Sequence, residues 1–261
     1  MEFKYILFEV DQGVCTITLN RPDQMNSINP EVIKDLVEAI DICASRKDIK
    51  AIILTGAGKA FSAGDDIKVM ETMEGYSASE IADIIETQGY PIFVKRMINL
   101  QKPIIACVNG LCYGAAGEIV LACDYIIASN KASFGQLYIK VATMGNTYLL
   151  PRAVGVRKAL DLLWTGRIIS VEEALQLGIV NEVVEAEALN EKVRAMALKL
   201  ANGPTVAIGL AKKAVYESIN MDLESGLRLM CEIQGELAKT KDNKEGYTAF
   251  VEKRKPNFTG E

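Results

Sequence analysis

An α/β fold with a mainly parallel sheet is predicted by three features of the chain. Two strand-length runs, KAIILTG (50–56) and PIIACVNG (103–110), are almost wholly apolar and end in glycine, as strands buried on both faces do. Segments with helical spacing of apolar residues alternate with such runs. At 261 residues, 49% of them apolar, the chain has material for one large core, alone or with an appended helical segment.

Taken in order, CTITLN (15–20) alternates apolar and polar residues with β-branched side chains and reads as a strand. A loop with Pro22 and Pro30 follows. Val32, Ile33, Leu36, Ile40 and Ile42 then mark an amphipathic helix from Glu31 to Ser45. After the buried strand 50–56 comes the small-residue loop AGKAFSAGDD, then a polar helical stretch from about Ser77 to Leu100, broken by Lys102-Pro103. The strand 103–110 leads through small residues into the helix-like EIVLACD, and DYIIASN (124–130) reads as another strand. From Pro151 the pattern turns mostly helical, with segments 157–165, 171–177, 187–201, 204–219 and 223–239 and a last one ending before Pro256; GIVNEVV interrupts them as a short strand.

Composition excludes several functions. The chain has no histidine, so neither a Ser-His-Asp or Cys-His nucleophile nor a His-ligated metal can be built from it. Proton transfer falls to Glu, Asp, Lys, Tyr, Cys or water. A net charge of −5 without long basic runs argues against a nucleic-acid surface, although a local basic patch stays open. No stretch approaches the roughly 20 apolar residues of a membrane span, and MEFKYILFEVDQG lacks the marks of a secretory signal; a cytoplasmic protein is expected. The six cysteines show no CxxC spacing and read as buried, reduced thiols.

Two loops carry candidate chemistry. AFSAGDDIK (60–68) follows a buried strand, where a small-residue turn exposes backbone N–H groups at the carboxyl edge of a parallel sheet; an ordinary strand-to-helix turn has the same composition. NGLCYGAAGEIVLACD (109–124) packs small residues before a helix on which Glu118 lies among Ile119, Val120 and Leu121. Free N–H groups at a helix start stabilise a developing oxyanion. Apolar surroundings raise a carboxyl pKa toward neutrality, although a first-turn carboxylate also simply complements the helix dipole.

In order and spacing, TLNRPDQMNSI, AFSAGDDIK, IACVNGLCYGAAGE, FGQ, RAVG and AFVEKRKPNF together resemble the crotonase (enoyl-CoA hydratase/isomerase) superfamily over almost the whole chain. The resemblance implies a spiral of ββα units (1–200), then a C-terminal helical region (201–261) that assembles trimers or dimers of trimers. It implies an oxyanion hole from the N–H groups of Asp65 and Ala115, with Glu118 as the catalytic carboxylate. The substrate is an acyl-CoA, and neither a metal nor a separate cofactor is implied. Coenzyme A contacts fall on Ala63, Asp65, Asp66, Ile67 and Lys68, with Lys253 and Arg254 near the phosphates of this or a neighbouring subunit's ligand.

Hydratases of the family hold water between two glutamates; where the second belongs, this chain has Tyr138. The glycine-rich loop after it is about three residues shorter, with Gly145 and Asn146 in its place, and Asn146 and Tyr148 become candidate pocket residues. Hydration is favoured, with Glu118 alone serving as base and acid. Decarboxylation of a malonyl-type thioester by a Glu-plus-Tyr site and double-bond isomerisation stay open. A catalytically silent or RNA-binding member is the alternative of another class.

Overall fold

The continuous apolar runs form the middle of a six-stranded sheet in a computed structural model that describes residues 3–261. Its first elements are β1 (Ile6–Asp11), β2 (Val14–Leu19), α1 (Pro30–Ser45), β3 (Ala51–Gly56) and β4 (Ala60–Ser62). Helices α2 (Lys68–Glu71), α3 (Ala78–Gln88) and α4 (Tyr90–Asn99) come next, then β5 (Ile104–Val108), β6 (Leu111–Tyr113), α5 (Ala115–Leu121), β7 (Tyr125–Ser129) and β8 (Ser133–Gly135). Beyond these lie α6 (Leu149–Val154), α7 (Val156–Thr165), β9 (Ile168–Ser170), α8 (Val171–Gln176), β10 (Glu182–Val184) and α9 (Leu189–Ala201). The chain ends in α10 (Thr205–Ser218), α11 (Leu223–Leu237) and α12 (Lys241–Val251).

The large sheet runs β1-β2-β3-β5-β7-β10, with β1 antiparallel to β2 and every other pairing parallel. A second sheet runs β4-β6-β8-β9. Three times a long strand of the first sheet hands over, within a few residues, to a short strand of the second (β3 to β4, β5 to β6, β7 to β8). That repeated step is the expected ββα winding.

Both faces of β3 and β5 are covered, which is why their sequences do not alternate. Val32, Ile33, Leu36, Ala39, Ile40 and Cys43 of α1 bury into the core that includes Ile52, Leu54, Ile104 and Ala106. Leu189, Val193, Ala197 and Ala201 of α9 cover Ala51, Ile53, Ile105 and Cys107 on the opposite face. Asn29 caps α1 by accepting the Val32 N–H at 2.9 Å, and Pro30 opens the helix. Five cysteines are buried, and Cys231 is exposed on α11.

Three features depart from the sequence-based expectation. Strand β1 is added to the sheet edge by a tight hairpin whose Gln12 and Gly13 both have positive φ. The helical stretch 77–100 is two helices, because Pro91 near the start of α4 has no N–H for a continuous ladder and Gly89 turns between them in extended conformation. The second sheet is built from three-residue strands, too short for alternation to show.

Helix α10 is fastened to the core by a buried cation. Lys212 Nζ donates to the carbonyls of Met97 (2.8 Å) and Lys102 (3.2 Å) and to Asp124 Oδ2 (2.8 Å). Asp124 also accepts the Ile104 N–H at 2.8 Å; burial raises its carboxyl pKa, and Lys212 offsets the rise. Among the described residues no helix is long and apolar enough to cross a membrane. Removing one partner of a buried pair leaves the other charge stranded, so Lys212→Met is expected to cost about 3–5 kcal/mol in urea unfolding. Adding Asp124→Asn should recover part of that loss.

Candidate active site

The loop after β4 is placed by residues far from it in sequence. The Asn26 side chain accepts the Arg21 N–H at 2.9 Å and donates to the carbonyls of Ala57 and Ala60, each at 2.9 Å, so it pins the turn between β3 and β4. Ile28 then pairs with the loop itself: its N–H reaches Gly64 O at 2.8 Å, and its carbonyl accepts the Asp66 N–H at 2.8 Å. In such a bridge the flanking residues bond to Ile28, and the N–H of Asp65 is directed to the other side. Asp66 is held by Arg21 at 3.1 Å and by the Ser27 hydroxyl at 3.3 Å.

Gly64 sits against the second loop at a φ of +91°. A β-carbon there would lie 2.5 Å from the Tyr113 carbonyl oxygen and 3.3 Å from the Ala115 nitrogen. Only glycine allows this approach. The contact brings the amides of Asp65 and Ala115 to neighbouring strand ends. Ala115 is the first residue of α5, with ordinary helical geometry, so alanine meets no backbone strain; its N–H is one of the four that the helix leaves without an acceptor. The positive φ of this turn falls on Gly114 instead.

Glu118 lies in the first turn of α5, which begins three residues earlier than the expected EIVLACD segment, and its side chain is half-buried. The Asn146 N–H donates to Glu118 Oε2 at 2.8 Å. Burial raises the Glu118 carboxyl pKa; the Asn146 amide and the looser approach of the Tyr90 hydroxyl lower it. The net direction is upward, which suits a group that exchanges protons near neutral pH.

Asp65 is exposed on its loop, yet the protein around it removes enough water to push its carboxyl up to about 6. Its own backbone N–H opposes that rise and the charge of Glu118 adds to it. The Asp65 side chain thus lies near enough to Glu118 for the two charges to act on one another.

Tyr138 lies in a 3-10 turn (Leu137–Val141), 7% exposed, with its hydroxyl buried and without a hydrogen-bond partner. Burial holds its pKa well above 10, with Tyr90, Asp65 and Glu118 adding to the rise, so it remains a neutral phenol. The absence of a β-carbon on Gly145 makes room for the Tyr138 ring: that atom would lie 2.4 Å from the ring. Asn146, 1% exposed, belongs to the site through its main chain, while its side-chain oxygen accepts the Leu150 N–H at 3.1 Å.

Other candidates lie apart from this cluster. Tyr148 is 49% exposed; Arg152 stacks on its ring at 3.6 Å and Asn220 donates to its hydroxyl at 3.2 Å. Ala63, Ile67 and Lys68 are exposed along the loop, beside the cluster rather than in it, and the Ala63 N–H is taken by Met25 O at 2.9 Å. Lys253 is exposed just beyond α12, and Arg254 is paired with Glu245 and Glu252. Tyr90 was not anticipated. It enters the site because Gly89-Tyr90-Pro91 starts a new helix, and that tripeptide was the available signal. A groove of about 1030 Å³ between α1, α4 and the chain end is lined by none of these residues. Gly64→Ala should force the two loops apart, lowering turnover by about 10²-fold, the scale of losing one aimed backbone donor; steady-state kinetics beside a thermal melt would show it.

A family model described as enoyl-CoA hydratase/isomerase matches residues 9–261. The chain is 40% identical to the (E)-benzylidenesuccinyl-CoA hydratase of Thauera aromatica over 260 residues, 98% of this chain and 99% of that protein. It is 35% identical to the 1,2-epoxyphenylacetyl-CoA isomerase of Escherichia coli, over 98% of this chain and 99% of that one. The crystal structure of an enoyl-CoA hydratase from Bacillus anthracis superposes with a TM-score of 0.91 at 34% identity, covering 99% of this chain and all of the other. With this match along nearly its whole length, the chain belongs to the enoyl-CoA hydratase/isomerase family and has the crotonase fold.

Proposed function

We propose that the protein adds water across the α,β double bond of an enoyl-CoA, and removes it in the reverse direction, with Glu118 as the base that takes a proton from water. The observation that carries this reading is the half-buried Glu118 carboxylate, held by the Asn146 amide in the first turn of the helix whose Ala115 N–H lies beside the Gly64-Asp65 loop. As water attacks the β-carbon, the π electrons move toward the thioester and charge collects on its carbonyl oxygen. The N–H groups of Asp65 and Ala115 favour that charge over the neutral carbonyl, each worth about 3 kcal/mol. The α-carbon then takes a proton.

Isomerisation is the second reading, favoured by one specific feature: a neutral Tyr138 stands where a second carboxylate is expected. Decarboxylation of a malonyl-type thioester is less favoured, because its free carboxylate would meet Asp65 and Glu118 in a partly dry cleft, where like charges repel strongly. No cofactor beyond the coenzyme A of the substrate is required. Its nucleotide and pantetheine run along Ala63–Lys68, and Lys253 serves the ligand of a neighbouring subunit.

That arrangement goes with assembly through the C-terminal helical region, 201–261, into a trimer or a dimer of trimers in the cytoplasm. Large apolar side chains support it: Leu223 is 79% exposed, Tyr247 70%, Phe250 84% and Val251 77%. Light scattering should give a mass of three or six chains; a monomer at micromolar concentration would rule the assembly out.

Incubation with a panel of enoyl-CoA and malonyl-type thioesters, read by mass, separates the reactions: gain of water, loss of carbon dioxide, or unchanged mass with altered retention. Glu118→Gln should lower hydration by about 10³-fold while leaving thioester binding nearly intact. Full activity in that variant would remove Glu118 from the mechanism.

A further inference from the structure

Hydration moves two protons: one leaves water and one arrives at the α-carbon. Tyr138, buried beside Glu118 and Tyr90, is a neutral phenol that neither accepts nor releases a proton near pH 7. The second acid is therefore sought elsewhere in the same cleft. Asp65 is a second carboxyl, close enough to feel the charge of Glu118.

We propose that the side chain of Asp65, and not its amide alone, is a catalytic group: it delivers the proton to the α-carbon while Glu118 takes the proton from water. This deepens the hydratase reading and rests on it for the identity of the substrate. Three observations support it. The bridge to Ile28 fixes the Asp65 main chain on both flanks, at 2.8 Å through Gly64 O and 2.8 Å through the Asp66 N–H. The close seat of Gly64 against Tyr113 and Ala115 sets Asp65 at the mouth of α5, beside the amide assigned to the thioester oxygen. The α-carbon is bonded to that carbonyl carbon, so a short side chain rooted at one oxyanion donor is within reach of it. Finally, neighbouring Asp66 is engaged with Arg21 and Ser27, whereas among the described residues Asp65 forms no salt bridge.

The groups whose charge couples to Asp65 come from three elements: Glu118 on α5, Tyr90 on α4 and Tyr138 on the 3-10 turn, together with its own N–H. None is cationic, and Lys68 on the same loop is exposed. Two carboxyls so placed hold one proton between them more readily than none, the division of labour that an acid and a base need. In the forward step the water O–H bond breaks toward Glu118, the oxygen bonds to the β-carbon, the π pair becomes the enolate, and the Asp65 proton closes the α-carbon. Glu118 leaves protonated and Asp65 ionised. Solvent, which reaches Asp65, restores both.

The test uses Asp65→Asn, which keeps the backbone amide and the side-chain shape. Hydration of the best enoyl-CoA from the panel should fall about 10²-fold in kcat, with KM changed less than about threefold. The wild-type kcat/KM profile should rise as Glu118 ionises and fall as Asp65, near 6 in the free protein, loses its proton; the variant should lack the falling limb. Independently of hydration, exchange of the α-hydrogens of butyryl-CoA in heavy water, followed by NMR, should be slowed at least about tenfold more by Asp65→Asn than by Glu118→Gln. Unaltered kcat and both pH limbs in Asp65→Asn overturn the proposal, as does exchange that depends on Glu118 alone. A wild type that exchanges α-hydrogens through Asp65 but hydrates no thioester refutes the hydratase reading and leaves the role of Asp65 standing.

Discussion

A β-carbon on Gly64 would sit 2.5 Å from the Tyr113 carbonyl oxygen, and much of the site follows from that missing atom. The two loops that carry the amides of Asp65 and Ala115 come from the ends of different strands in the second sheet. They meet because one of them has no side chain at the point of contact. The rest of the fold holds this meeting in register. β4 pairs with β6 in parallel, Asn26 clamps the turn before β4, and Ile28 adds a bridge on the outer side of the loop. Polar anchors of this kind fix position more sharply than apolar packing does, because a hydrogen bond constrains angle as well as distance.

This explains what the TLNRPDQMNSI string does. Neither Arg21 nor Asn26 lies in the cluster around Glu118, but Arg21 fixes Asp66 and Asn26 fixes the approach to β4. Met25 and Asn26 both take left-handed backbone angles, with φ of 50° and 55°, and Asn26 is 1% exposed with its amide fully bonded. The string is scaffold for a loop about forty residues downstream, which neither its composition nor its spacing reveals.

Legibility in the sequence followed the length of the signal. The buried strands β3 and β5 and the amphipathic α1 could be read because burial on two faces, or on one helical stripe, imposes a pattern over many residues. Strands of three residues impose none, so the second sheet was invisible until β4, β6 and β8 were seen paired. In the site, Glu118, Asp65 and Ala115 stand on strings whose small residues mark close approach. Tyr90 stands in a polar helical stretch, and only the docking of α4 brings its hydroxyl toward Glu118. Tyr148, read as a pocket candidate from its place in the altered loop, is half-exposed with Arg152 over its ring and Asn220 donating to its hydroxyl.

The Glu118 carboxylate is steadied chiefly by a peptide N–H, with the Tyr90 hydroxyl approaching more loosely. Such a support is written in the path of the loop and not in the chemistry of residue 146. Neighbouring loop residues can therefore be exchanged, reshaping the space offered to an acyl group, without disturbing the acid's anchor so long as the chain keeps its course. A scaffold with that separation between anchor and wall is suited to acquiring new substrates while its proton chemistry stays in place.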